Sequence, residues 1–406
     1  MKLRPDRQEI ELEDALAHIA LTTPIAGVET LPLHLAHNRI LAVDVVANTD
    51  HPPFARSPLD GYALHAEDIA LASPDAPAVL TVVDRICAGG VPACAVARGQ
   101  ATRIMTGAVM PDGANAVVRQ ESTDYGDETV AVYHPLRPGD NVCLRGEDFF
   151  AGSVLVSAGT KLNAAALGVI ASGGVAFVSV RVLPRVALMV TGDELAAPDT
   201  DGLLPPGKIY SSNFTMLSAR LVELGFAPVL SVQLGDDPQV AAQWIADALP
   251  DIDVLITTGG VSVGDQDLFH EVMPLVGAGR VFHGVNLKPG TPAMFSQVDG
   301  VPVLSLSGNP FAAAATFELL ARPLLAAVSG DLSILPRCVL APLDTAFAKQ
   351  SAARRFVRGT LLDGRVSLPA GHASGQLRSF LGCNCLVEIA PGAHPQIGDV
   401  VTVHLM

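Results

Sequence analysis

Between residues 185 and 310 the chain alternates apolar β-type runs with stretches of helical periodicity, and this alternation limits its architecture more than any other feature. The runs are RVALMV (185–190), PVLSVQL (228–234), DVLITTGG (253–260) and PVLSLSG (302–308). Helices are predicted over Phe214–Leu224, Pro238–Leu249 and about Leu268–Val276, and a fourth opens at Pro310. Strands covered by helices on both faces read as near-continuous apolar runs. The segment is therefore expected to be a doubly wound, mostly parallel α/β domain.

The flanking segments differ in texture. Apolar side chains at Ile10, Leu12, Leu16 and Ile19 have helical spacing. A Pro-rich break, HPPFARSPLDGYAL, begins at His51 and reads as the start of another domain. From Ala78 to about Tyr133 short β runs (VLTVV, ATRIMTG, NAVVRQ, TVAVY) alternate with Gly and Pro, as in a small β-rich module. VRGTLLDGRVSL, CLVEIAPG and DVVTVHLM near the C-terminus predict a small closed, barrel-like or sandwiched β domain. With 406 residues, 49% hydrophobic and 17% charged, the chain can bury several cores, and global disorder is not expected.

Asp and Glu number 41 against 26 Lys and Arg, a formal net charge of −15. Such a surface repels phosphate backbones, so nucleic acid is not an expected partner. An anionic small ligand would need backbone N–H groups, a few placed cations or a divalent metal. The 6 cysteines contain no C-x-x-C pair, and so large a core needs no disulfides; reduced thiols and a cytoplasmic setting are expected. Cys383 and Cys385 read as alternating positions of one strand, with a metal or redox role as the lesser reading. The N-terminal MKLRPDRQEIELEDAL has no apolar signal core. Phe311–Val328 is interrupted by Glu318, Arg322 and Pro323, so it reads as a buried helix and not a membrane span.

Open α/β sheets bind ligands beyond the carboxyl ends of their strands. Three such ends are polar here: TGDEL (191–195), TTGGVSVGDQD (257–267) and SGNP (307–310). Ser307 and Gly308 make a turn, Asn309 suits a helix N-cap and Pro310 the first helical position, which leaves helix N–H groups for an anion. Gly259, Gly260, Ser262 and Gly264 offer a second strip of backbone donors. Neither loop matches a Walker A or dinucleotide fingerprint, and each alone also reads as a plain tight turn. Glu194, Asp236, Asp265 and Asp267 follow strands of one sheet and are expected to converge. Acids beside anion-binding loops repel one another unless a cation joins them, which makes these the expected Mg²⁺ ligands. The competing reading has Asp193 and Asp236 capping helices.

Lys288 in the NLKPG turn is a candidate phosphate contact or a solvated lysine. Asp60 in SPLDGYA and Thr106 in RIMTGA are candidates in the β-rich module, although a turn cap is the commoner role of the aspartate in an Asp-Gly pair such as Asp60-Gly61. Arg354 and Arg355 of ARRF, with Ser374 of GHASGQLRS, suit an oxyanion or form a basic edge strand. His372 reads as structural. The chain has no Gly-x-Ser-x-Gly elbow, His-Glu-x-x-His helix or paired Cys–His zinc pattern to support hydrolase or zinc-enzyme readings.

In order along the chain, SPLDGYA, RIMTGAVMPDGANAVV, LRGEDFFAGSVLVSAGTKL, TGDEL, TTGGVSVGDQD, KPG and SGNP resemble the molybdopterin molybdenumtransferase (MoeA) family, to which the E domain of gephyrin belongs. The match runs from about Ile10 to the C-terminus. The SGNP and GGVSVG pair is shared with molybdopterin adenylyltransferases, whereas the ordered set is specific. The resemblance implies four parts. These are a discontinuous linker or dimerisation domain (1–48 and 142–183), an inserted β-rich module (49–141), an α/β molybdopterin-binding domain (184–329) and a C-terminal β domain (330–406). It implies a homodimer in which the inserted module of one subunit faces the α/β domain of the other.

The resemblance further implies Mg²⁺-dependent insertion of molybdenum from molybdate into adenylylated molybdopterin, with release of AMP. The implied protein partners are the molybdopterin adenylyltransferase and molybdoenzyme-maturation proteins. By the same resemblance Glu194, Asp236 and Asp267 hold or orient Mg²⁺ and the pyrophosphate. Lys288, Asp60 and Thr106 match catalytic polar positions, and Ser374 matches the serine of the C-terminal loop. Gly284 and Thr291 stand where many relatives carry lysines, and Ala353 where the C-terminal arginine usually sits, leaving Arg354 or Arg355 to substitute. The alternatives are adenylylation of molybdopterin and a non-catalytic cofactor-binding scaffold.

Overall fold

The computed structural model describes residues 9–198, 204–261 and 268–406. The chain divides into two compact units, one formed by Met1–Glu29 with Arg181–Met406 and the other by Thr30–Val180.

At the centre of the first unit is one sheet built from β1 (Val186–Thr191), β2 (Leu230–Leu234), β3 (Val254–Thr258), β4 (Gly279–His283), β5 (Met294–Val298) and β6 (Val301–Leu306). The strand order is β2-β1-β3-β6-β5-β4. β2, β1, β3 and β6 run parallel, as the apolar runs predict. β5 and β4 add an antiparallel edge that the periodicity does not reveal, so the sheet is mixed. The β5–β6 hairpin turns at Asp299-Gly300, both at positive φ, which suits the right-handed twist of its strands.

Alternate residues of β1 enter different cores: Val186, Leu188 and Val190 on one face, Ala187 and Met189 on the other. That division is why the run is apolar throughout. The helices are α1 (Ser212–Glu223), α2 (Pro238–Ala248), α3 (Leu268–Leu275) and α4 (Pro310–Thr316), the last continuing through a π turn into α5 (Arg322–Ser329). The span Pro310–Ser329 is long and apolar enough to cross a membrane, but its most apolar window is 89% buried within the protein, as expected of a core helix. Glu318, buried inside it, is neutralised by Arg322 at 2.6 Å and Arg220 at 2.7 Å. An amphipathic N-terminal helix, Leu12–Thr22, buries Leu12, Ala15 and Ile19 in the same core.

The C-terminal sheet joins Arg354–Leu362, Cys385–Ile389, Val400–Leu405 and Cys338–Pro342 in that order, with Arg365–Ser367 beside the first. An isolated bridge between Leu343 and Val366 brings its two ends together. Leu287–Lys288, from the α/β domain, adds to its far side in parallel with Arg354–Arg355. Cys385 begins a strand but Cys383 lies outside it, in the segment after a Leu381-Gly382 turn, so the C-x-C does not alternate along one strand. All 6 cysteines are free thiols.

The second unit contains a five-stranded sheet ordered Ala116–Arg119, Gly61–Leu64, Gln100–Ile104, Ala78–Ile86, Thr129–Val132. A separate core around Leu41, Leu162, Ile170 and Val180 includes the helix Ala164–Ser172, capped by Asn163.

Candidate functional site

A cleft of about 690 Å³ opens at the carboxyl ends of β1, β3 and β6. It gathers Glu194, Asp236, Gly259, Gly260, Ser307, Gly308, Asn309 and Pro310, which the sequence placed on three separate strand ends and one following turn. Ser262, Gly264, Asp265 and Asp267 lie outside the described residues.

The acidic lip is built from two loops that hold each other. The Asp193 carboxylate accepts the Asp236 N–H at 3.0 Å, and the Asp236 carboxylate accepts the Asp193 N–H at 3.3 Å. Lys208 donates its Nζ proton to the Asp193 carbonyl oxygen. Neither aspartate caps a helix. The cap of α2 is Asp237, whose carboxylate accepts from Gln239 N (2.9 Å) and Val240 N (3.2 Å), while Pro238 fills the first turn. Glu194 folds back over Gly192, where a Cβ would stand 2.5 Å from its Oε2.

The two glycine loops touch. Gly259 has φ +90°, and a Cβ there would stand 2.1 Å from the Thr191 carbonyl oxygen; a Cβ on Gly308 would stand 3.3 Å from Gly259 Cα. Asn213, in the first turn of α1, staples the loops together: its Nδ2 donates to the Gly308 carbonyl at 2.8 Å and to Thr258 Oγ1 at 3.1 Å. Thr258 Oγ1 in turn donates to the Ser307 carbonyl at 2.8 Å. Asn213 Oδ1, Thr191 Oγ1 and Ser211 Oγ are buried beside the cleft without partners among the described residues. Buried polar atoms are normally satisfied, so these three are available to a ligand. The sequence reading missed Asn213 because it began α1 at Phe214; the polar Ser-Ser-Asn before an apolar run is the helix-start signal that would have found it.

Lys288, Arg355 and Ser374 do not line this cleft. Lys288 and Arg355 meet elsewhere in the same unit, and Ser374 meets the start of α4. Lys288 is exposed and pairs in register with Arg355 on the neighbouring strand. Arg354 is committed to Glu13 through two bonds of 2.7 and 2.9 Å. Arg355 forms no such pair among the described residues; its Nε is buried without a partner, and desolvation holds its pKa below the usual arginine value. Of the two arginines, Arg355 is the one free to meet an anion.

Arg358 is fully buried and stacks 3.6 Å over the Phe311 ring. It donates to the Gln376 carbonyl, to the Ala373 carbonyl at 2.8 Å and to Ser379 Oγ at 2.8 Å, and so shapes the Ser374 loop. Burial, then the charges of Arg358, Arg355 and Lys349, hold His372 below the usual histidine value. Ser374 contributes its carbonyl oxygen, which accepts the Phe311 N–H at 2.9 Å. The start of α4 therefore has one donor already taken, and Asn309 makes no side-chain cap, contrary to the open helix end that SGNP suggests. Thr291 donates to the Leu287 carbonyl at 2.6 Å, and Gly284 sits buried at φ +100°, so both complete the turn and supply no cation.

In the second unit, Asp60 Oδ1 accepts both the N–H and the Oγ1–H of Thr106 at 2.7 Å. The Thr106 N–H, then its hydroxyl, hold the Asp60 carboxyl below the ordinary range. Asp60 thus ties two loops together and is more than a local turn cap.

Three family models match in succession: the MoeA N-terminal region (domain I and II) over residues 10–174, the probable molybdopterin binding domain over 187–327, and the MoeA C-terminal region (domain IV) over 341–406. The chain is 35% identical over 391 residues to a molybdopterin molybdenumtransferase of Staphylococcus aureus (strain MSSA476), spanning 95% of this chain and 93% of that protein. The chain belongs to the MoeA family. A Staphylococcus epidermidis molybdopterin molybdenumtransferase is 34% identical over 371 residues, or 90% of this chain and 88% of its own length. The crystal structure of the molybdopterin biosynthesis moeA protein from Pyrococcus horikoshii OT3 superposes with a TM-score of 0.83 at 30% identity, covering 98% of this chain and 100% of that one.

Within this MoeA-family chain the donor set suits a hard cation. Glu194 and Asp236 present carboxylate oxygens on one lip, and among the described residues neither is paired with a lysine or arginine side chain. Mg²⁺ takes one or two protein carboxylates and completes its shell with water and substrate phosphate, so the pair fits. Among the described residues no group of three or more His, Cys, Asp or Glu is arranged to hold a metal ion by itself.

Proposed function

We propose that this MoeA-family protein is a molybdopterin molybdenumtransferase that inserts molybdenum from molybdate into adenylylated molybdopterin, using Mg²⁺ and releasing AMP. The observation that carries this reading is the cleft in which Glu194 and Asp236 face the stapled glycine loops, in a chain so close over its length to proteins of that name. Gly259, Gly260, Ser307, Gly308 and Asn309 cradle the pyrophosphate with backbone donors, and Pro310, which has no N–H, closes that rim. Glu194 and Asp236, with Asp265 and Asp267, hold Mg²⁺, which supplies positive charge where an acidic protein would otherwise repel the nucleotide. Asn213 keeps both loops at one spacing, and its free Oδ1 accepts from the ligand.

Lys288, Arg355 and the Ser374 loop take the tetrahedral oxyanion, Arg355 through its unpartnered guanidinium nitrogen. The Thr106 hydroxyl proton is committed to Asp60, so that hydroxyl offers its lone pairs to a substrate donor. The working form in this proposal is a homodimer. Purified protein given molybdate, Mg²⁺ and adenylylated molybdopterin should release AMP and yield active cofactor. No AMP above a protein-free control would refute the assignment, and ATP consumption without molybdate would assign adenylylation instead.

A further inference from the structure

Three strands of the C-terminal sheet align a thiol, an imidazole and a carboxylate outside the cleft. Cys338 and His404 are cross-strand partners on the antiparallel pair Cys338–Pro342 and Val400–Leu405. Cys338 Sγ lies 3.2 Å from His404 Nδ1, and His404 Nε2 lies 2.8 Å from Glu388 Oε2 on the next strand. The His404 bond and Arg354 hold Glu388 below the ordinary carboxyl range, so it accepts, Nε2 carries the proton and Nδ1 turns its lone pair to the thiol. Phe356 packs edge-on against the imidazole at 5.4 Å, and Arg354, itself paired with Glu13, stands behind Glu388. The ring is thereby oriented from both sides. Cys338 is exposed, at the start of the sheet's last strand.

A nucleophile, a base in hydrogen-bond reach and a group that orients the base are the parts of an activated thiol. We propose that Cys338 is a base-assisted nucleophile, a modification site that exchanges with low-molecular-weight disulfides to form a mixed disulfide. As Sγ attacks one disulfide sulfur, the thiol proton passes to His404 Nδ1. The S–S bond breaks with its electron pair on the second sulfur, and that thiolate takes the proton from Nδ1. One thiol and one disulfide enter and one of each leaves, so no further oxidant is needed. Burial and the Glu388 charge hold the Cys338 thiol above its ordinary value. A standing thiolate is therefore scarce at neutral pH, and exchange runs through His404, with Glu388, Arg354 and Glu13 as the charges that face it.

The test is to incubate the full chain with oxidised glutathione and follow each cysteine adduct by peptide mass spectrometry. Cys338 should react at least about a hundredfold faster than the exposed Cys87 and Cys94, the low end of general-base assistance. His404→Asn should bring Cys338 down to the rate of Cys87 and Cys94; Glu388→Gln, read the same way, should slow it as well and serves if His404→Asn does not fold. A Cys338 no faster than Cys87 and Cys94, or one unaffected by loss of the base or its orienting carboxylate, overturns the proposal.

Discussion

Asp236 and Asp237 are neighbours with different duties, and each duty has its own assay. Asp237→Ala removes the α2 cap and should cost about 1 kcal/mol in chemical denaturation while AMP release persists. Asp236→Asn keeps an acceptor for the Asp193 N–H but loses the charge. It should lower AMP release by about a hundredfold or more with stability changed by less than about 0.5 kcal/mol. Equal turnover in Asp236→Asn and wild type would remove that carboxylate from the proposed metal set. Both aspartates precede Pro238, and spacing alone could not say which one capped the helix. For Asp60 the sign of the pH effect is fixed by its lowered carboxyl pKa. Its stabilising contribution is present above the ordinary value, near ~3.9, and is lost as pH falls through the lower folded value. Thr106→Val removes one of the two donors, so the Asp60 carboxyl should titrate at higher pH by NMR.

Among the elements, Gly259 sits where a side chain meets the backbone of β1. Gly259→Ala should destabilise the unit by about 2 kcal/mol or more, through positive φ together with a clash against the Thr191 carbonyl. A denaturation midpoint equal to wild type would show that the loops can separate. Arg354 and Arg355 share a strand but face different partners. Arg355→Ala should raise the KM for molybdate at least about tenfold, the loss of one charge-assisted contact. Arg354→Ala should leave KM unchanged and cost no more than about 1 kcal/mol, as expected of a partly exposed ion pair. The sequence predicted α1 and α2 to within two residues, because the spacing of their buried positions matches the helical period. It set short strands on either side of NLKPG, which are β4 and β5, but not their antiparallel place in the sheet, because the runs GRVFH and MFSQV are short and partly polar. The Asp-Gly turn beside them was legible, but hairpin and parallel-sheet patterns compete in so short a window.

For the molecule as a whole, the formal charge of −15 makes cation dependence a direct measurement. AMP binding by calorimetry should weaken at least about tenfold when Mg²⁺ is replaced by EDTA, the size of one typical coupling between ligands. Equal affinity with and without the ion would remove the cation from the site. The order of motifs along the chain pointed to the family, since each motif sits where a strand or loop must end. What no motif could show is how distant loops meet in space. Arg355 and Lys288 became partners only through strand register, and the Ser374 loop reached α4 only through folding. That last contact has a mechanical consequence. The main-chain bond from the Phe311 amide to the Ser374 carbonyl, with Arg358 lying on the Phe311 ring, ties the rim that would cradle a nucleotide to the rim that would seat an oxyanion. Under the proposed function, a shift of one berth would then tug on the other, and two cargoes would be kept in step without any separate relay.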